Sequence, residues 1–97
     1  MLARVADVYR AIADETRRIL LDELLERDGQ TLFELCSRLA MRHGITPTRQ
    51  AVSQHLDVLE SAGLIRTERR GRTKLHTIVT APLAEIAERW PIRKDAP

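Results

Sequence analysis

Residues 46–64 read TPTRQAVSQHLDVLESAGL, and how this stretch folds decides how the rest of the chain is read. Thr48 offers an N-cap hydroxyl to the first free amides of a helix. Pro47 favours extended backbone just before it, and Gly63 suits the left-handed residue that closes a helix. Together they predict a helix from about Arg49 to Ala62. At ~3.6 residues per turn, Val52, His55, Leu56 and Leu59 fall on one side and Gln50, Ser53, Gln54 and Asp57 on the other. The polar side is short of Glu and Lys, the usual solubilising residues, and carries Arg49, Gln50, Ser53 and Gln54 instead. A face kept polar for solvation alone would not need that selection. Side chains that hydrogen-bond to base edges would, because glutamine pairs bidentately with adenine and arginine with guanine.

Upstream, Thr31 and Glu34 are spaced as a capping box, so a helix starts near Leu32 and carries Leu35, Cys36, Leu39 and Ala40 at helical spacing. Met41 to Pro47 then connects it to the polar helix. Two short helices joined by a turn, the second polar on its outer face, outline a helix-turn-helix over residues 31–63. Before it, Thr16 to Arg27 reads as a core helix with Ile19, Leu20, Leu24 and Leu25, stopping at Asp28-Gly29.

Downstream, residues 64–80 alternate, turn at Arg69-Arg70-Gly71-Arg72-Thr73 and alternate again, which predicts a β-hairpin. Its tip bears Arg69, Arg70, Arg72 and Lys74, with Glu68 alone in opposition. A basic hairpin can simply guard a sheet edge. Beside a helix-turn-helix it is better suited to phosphate or minor-groove contact.

The two ends carry narrow apolar stripes. Leu2, Val5, Tyr9 and Ile12 recur at spacings of three and four over residues 2–13, with a first helix expected at 3–13. Pro82 opens a final helix over 82–90 with Leu83, Ile86, Ala87 and Trp90 on one face, ended by Pro91. So short a helix is not stable alone, and its stripe needs cover from this chain or from a second copy.

At 97 residues the chain fits one domain, and 43% hydrophobic with 31% charged residues excludes a disordered chain. No apolar run reaches bilayer length, and the amphipathic N-terminus lacks the basic-then-apolar order of a signal peptide, so a cytoplasmic protein is expected. The formal charge is only +2, but it is unevenly placed: residues 1–45 hold seven Arg against eight acids, and residues 46–80 hold six Lys or Arg against three. A single cysteine, Cys36, excludes an internal disulfide and any multi-cysteine metal site within one chain.

The stretches ADETRRILLDELL, QAVSQHLDVLESAGLI and RRGRTKLHTI resemble those of the ArsR/SmtB family of bacterial transcriptional regulators, over about residues 3–90. The resemblance implies a mainly α winged helix-turn-helix with a β-hairpin wing, dimerising through its first and last helices at Leu2, Val5, Tyr9, Ile12, Leu83, Ile86 and Trp90. It implies a homodimeric repressor on a palindromic double-stranded operator. Thr48, Arg49, Gln50, Ser53, Gln54 and His55 of the reading helix, with Arg69, Arg70, Arg72 and Lys74 of the wing, would meet the DNA. His55 lies at the margin and is as well placed for packing.

Two features depart from the family. Its metal-responsive members carry paired cysteines on the third helix or Asp and His ligands on the last. This chain has neither, and His43, His55 and His76 are scattered over three elements, so no metal site or cofactor is expected. The turn between Leu39 and Thr48 is also about six residues longer than a minimal one; it either extends the third helix or loops toward DNA with Arg42 and His43. No nucleophile–base pair, paired carboxylates or phosphate-cradling glycine loop marks an enzyme. Two rivals remain: a winged-helix module that docks protein, and a repressor switched by Cys36 oxidation or by a small molecule in a dimer cavity.

Overall fold

The computed structural model describes residues 5–94, with side chains described from Asp7 onward. In order these form α1 (Val5–Ile12), α2 (Glu15–Glu26), α3 (Leu32–His43), α4 (Arg49–Ser61), β1 (Ile65–Arg70), β2 (Thr73–Ile78), a 3-10 turn (Ala81–Leu83) and α5 (Ala84–Arg89). Leu20 and Leu24 from α2, Leu35 and Leu39 from α3, and Val52, Leu56 and Leu59 from α4 meet in one core. Leu64 and Ile65 close it below the hairpin, and Val8 and Ala11 close it from α1. Each buried leucine removes apolar surface worth about 1.5–3 kcal/mol from water.

The helix ends follow local chemistry. Asp14 caps α2 by accepting from the Arg17 amide at 3.0 Å. The Thr31–Glu34 capping box of α3 is complete, at 3.1 and 3.0 Å. The last carbonyls of α1 are taken up by the next helix: Arg17 Nε donates to Ala11 O and Arg18 donates to Ile12 O.

α3 runs on to His43, where Gly44 at φ +66° ends it and the Ile45 amide bonds back to Leu39 O. The long segment after Leu39 is therefore one more helical turn plus a short connection. That extra turn is held by Glu23, a buried carboxylate on α2 that accepts from Arg38 and, at 2.8 Å, from His43 Nε2. Arg42 forms a bidentate pair with Glu26 at 2.8 Å for each bond. Burial disfavours charge on Glu23, but the hydrogen bonds from His43 and Arg38 and the charge of Arg42 outweigh it and hold the carboxyl below the usual range.

Strands β1 and β2 pair antiparallel in the register Ile65↔Ile78 through Arg70↔Thr73, leaving a two-residue loop, Gly71-Arg72. Gly71 sits at φ +61° in the glycine-first pattern of tight hairpins. The hairpin base is joined to the helices by a short bridge, Gln30↔His76, with Gln30 N to His76 O at 3.1 Å and His76 N to Gln30 O at 2.8 Å. The buried Gln30 side chain donates to Glu23 O and Arg27 O, capping the end of α2.

Several expectations need correction. Leu25 is 69% exposed and Leu21 is the buried residue instead, because α2 packs on the core through Leu20, Leu21 and Leu24, which turns Leu25 outward. Ala40 and Ala87 face solvent. On α1 the deepest positions are Val8 and Ala11, one step round from the Tyr9–Ile12 seam. Leu2 and the Val5 side chain lie outside the described residues. The last helix is six residues, Ala84–Arg89, after a 3-10 turn that contains Pro82, shorter than the expected 82–90.

Replacing Glu23 with Ala is expected to cost about 3 kcal/mol of stability at neutral pH, because Arg38 and His43 lose their acceptor. Since folding depresses the Glu23 pKa, its contribution is full above the ordinary carboxylate range and is lost as pH falls through the lowered value. Urea unfolding of both proteins at one concentration and several pH values checks this: the gap should narrow only in acid.

Candidate nucleic-acid interface

The reading helix begins as its sequence requires. Thr48 Oγ1 accepts from the Ala51 amide at 3.0 Å, so its hydroxyl is engaged in capping α4. Arg49, Gln50 and Gln54 are exposed and Ser53 is half-buried at the edge of a groove. The second half of α4 is different. Asp57 and Glu60 stand on its exposed side, and Glu60 accepts from Thr67 Oγ1 at 2.9 Å, tying the helix to β1. Two carboxylates there would repel phosphate, so the surface suited to a polyanion is the first half of α4.

His55 is placed for support. Its Nδ1 accepts from Arg17 Nη1 at 3.1 Å, and the same guanidinium donates to Ala11 O and Arg10 O. One arginine thus joins the end of α1, the start of α2 and the inner edge of α4. Spacing alone left His55 between the two roles; the missing signal was Arg17, 38 residues away in sequence.

Across the groove stands the hairpin. Arg69, Arg70, Arg72 and Lys74 are all exposed. Arg69 lies directly opposite Lys74 in the register, a like-charge cross-strand pair that is unfavourable unless an anion sits between or above them. Arg70 approaches Glu68 at 3.6 Å, a surface contact of little energetic weight. The groove between α4 and the wing encloses about 410 Å³, lined by Leu32, Phe33, Ser53, Leu56, Arg72 and Lys74 among others. Phe33 is a residue that sequence reasoning did not single out: it is 64% exposed and the Arg49 guanidinium lies over its ring, 5.8 Å from the centroid.

Arg42 and His43 do not reach this surface; they are bound to Glu26 and Glu23 on the α2–α3 side. Cys36 is half-buried, and burial pushes its thiol up against the opposing charge of Arg49, the reverse of an activated thiolate. Among the described residues no three His, Cys, Asp or Glu side chains are grouped to hold a metal ion. No helix of the described residues is long and apolar enough to cross a membrane.

With that geometry established, comparison with known proteins is decisive. A model of the helix-turn-helix domain family matches residues 12–68. The uncharacterized HTH-type transcriptional regulator YuzN of Bacillus subtilis is 41% identical over 83 residues, covering 86% of this chain and 90% of that protein. The solved ArsR-like transcriptional regulator from Rhodococcus sp. RHA1 superposes with a TM-score of 0.71 at 34% identity, over 88% of this chain and 72% of that one. This chain belongs to the ArsR family. It is a DNA-binding transcriptional regulator, a member of a non-enzymatic class. The homodimeric winged helix-turn-helix domain Mb0332 from Mycobacterium bovis shares the fold, with a TM-score of 0.68 at 20% identity over 96% of this chain and 85% of that one. In this ArsR regulator, then, the matched helix-turn-helix region runs from the end of α1 into β1, and the β1–β2 hairpin follows α4.

Removing the Arg17–His55 bond should be felt in stability. Arg17→Ala is expected to cost about 1–3 kcal/mol, by leaving α1 carbonyls and the His55 nitrogen without their donor. Adding His55→Ala should lose less than the sum of the two single changes by at least about 0.5 kcal/mol. Strictly additive losses in urea unfolding would deny the bond.

Proposed function

We propose that this regulator is a metal-independent homodimeric repressor, cytoplasmic, that reads a palindromic operator with Arg49, Gln50, Ser53 and Gln54 and grips the backbone with Arg69, Arg70, Arg72 and Lys74. Thr48 takes part by capping the reading helix and His55 by orienting it. The observation that carries the reading is an α4 surface whose first half exposes Arg49, Gln50 and Gln54 without acids, beside a hairpin that exposes Arg69, Arg70, Arg72 and Lys74. A module that docks protein would not require cations at both the start of the helix and the hairpin tip.

The dimer is assigned to α1 and the C-terminal segment. Tyr9 and Trp90 meet edge to face at 6.2 Å, Ile12, Leu83 and Ile86 pack beside the core, and Trp90 remains 59% exposed next to the exposed Ile92. So much apolar area at one corner suits a second copy of the chain. A two-fold dimer places two reading helices on successive major grooves, which requires a palindromic site. Occupying such a site within a promoter is enough to block transcription.

The test is a titration of the purified protein against DNA from its own promoter and against a scrambled duplex, at two salt concentrations, with and without zinc. Promoter-selective, salt-sensitive binding that ignores zinc supports the reading; equal binding to both duplexes overturns it, and zinc dependence overturns the metal-independent part. Gln54→Ala should weaken operator binding by about 1–3 kcal/mol and leave scrambled DNA unaffected. Arg72→Ala should weaken binding to both duplexes and lower the slope of log K against log salt by about one unit.

A further inference from the structure

Phe33 occupies the second position of α3, directly after Leu32, which packs toward the core. Its ring is 64% exposed, so its surroundings and not its burial give it interest. What it does contact is functional: the Arg49 guanidinium stands over the ring at 5.8 Å from its centroid. Arg49 forms no ion pair among the described residues, so the ring is its described partner. Phe33 also lines the groove with Ser53, one helical turn along α4 from Arg49, and with Arg72 and Lys74 of the wing.

From this juxtaposition we infer that Phe33 is a positioning residue for DNA reading: its ring forms a shelf that holds the Arg49 guanidinium over the first turn of α4, oriented toward the major groove. The inference rests on the reading that this face of α4 meets DNA. The ring quadrupole attracts the cation, and a flat guanidinium is suited to rest on it. A free arginine gives up much of its rotamer freedom when it docks on a guanine edge. One already resting on a ring has given up part of that freedom beforehand, so the shelf favours the site where the guanidinium finds its bidentate partner. Non-specific phosphate contact, which any orientation of the cation can make, is not favoured in the same way.

The experiment uses the full chain and two duplexes, one enriched by the wild-type protein from a random library and one scrambled. Phe33→Ala should weaken binding to the enriched duplex by about two- to fivefold, the range of an exposed cation–π contact, and leave the scrambled duplex unchanged. Phe33→Trp should restore selectivity and Phe33→Leu should not, and this pair decides the matter even if the Ala variant folds poorly. In an Arg49→Ala background Phe33→Ala should have no further effect. A loss that persists in that background, or equal rescue by Leu and Trp, overturns the shelf and leaves the DNA-facing assignment intact. If Arg49→Ala itself binds the enriched duplex as tightly as wild type, both the shelf and the role of Arg49 in reading fall.

Discussion

The junction at Gln30 is the constraint on which this structure depends. Its backbone forms a two-bond bridge to His76, its side chain donates to two carbonyls at the end of α2, and His76 Nδ1 donates back to Gln30 O at 2.9 Å. An isolated two-stranded hairpin is marginal in water. Here the hairpin is fastened at its base to the helical core by buried hydrogen bonds, with Asp28 Oδ1 adding one from the Ile78 amide at 2.8 Å. Residues 28–30, between two helices, therefore help to set where the hairpin stands relative to α4, together with the Glu60–Thr67 bond and the buried Ile65.

The reading helix is fixed from its other side. Arg17 binds His55 and two carbonyls of α1, while Glu60 and Thr67 tie the far end of α4 to β1. Each attachment lies on the inner or C-terminal part of α4. The first half of the outer face, with Arg49, Gln50 and Gln54, is left unencumbered except for the ring of Phe33. The attachments and the open polar face are thus separated along one helix.

Much of this was legible in the sequence because the signals were local. Thr48, Thr31 with Glu34, Gly63 and Gly71 act within a few residues of themselves, and the helices and hairpin follow from them. The core faces of α3 and α4 follow from periodicity, since packing selects every third or fourth residue. What was not legible depends on residues far apart. Leu25 has the same spacing as Leu24, and only the docking of α2 sends one outward and the other inward. Arg42 and His43 read as loop residues because their partners, Glu23 and Glu26, lie on another helix. Phe33 lies off the Leu35–Leu39 spacing and carried no signal of its own; its neighbour Arg49 is on another helix. At the candidate interface the polar face of α4 and the wing cations were apparent, while the roles of Arg17 and Phe33 required three dimensions.

The ion cluster on α2 and α3 has an effect beyond stability. Arg38 and Arg42 are committed to Glu23 and Glu26, and Arg27 approaches Glu34 at 3.5 Å, so that side of the molecule is electrically quiet despite its arginines. At the wing and the start of α4, Arg49, Arg69, Arg72 and Lys74 form no ion pair among the described residues and Arg70 only approaches Glu68, in a chain whose formal charge is +2. The small formal charge is therefore divided by place: the α2–α3 side holds its arginines in pairs, while the hairpin tip and the start of α4 leave theirs open to solvent. An approaching polyanion feels those open cations only within roughly a Debye length, about 8 Å at physiological salt.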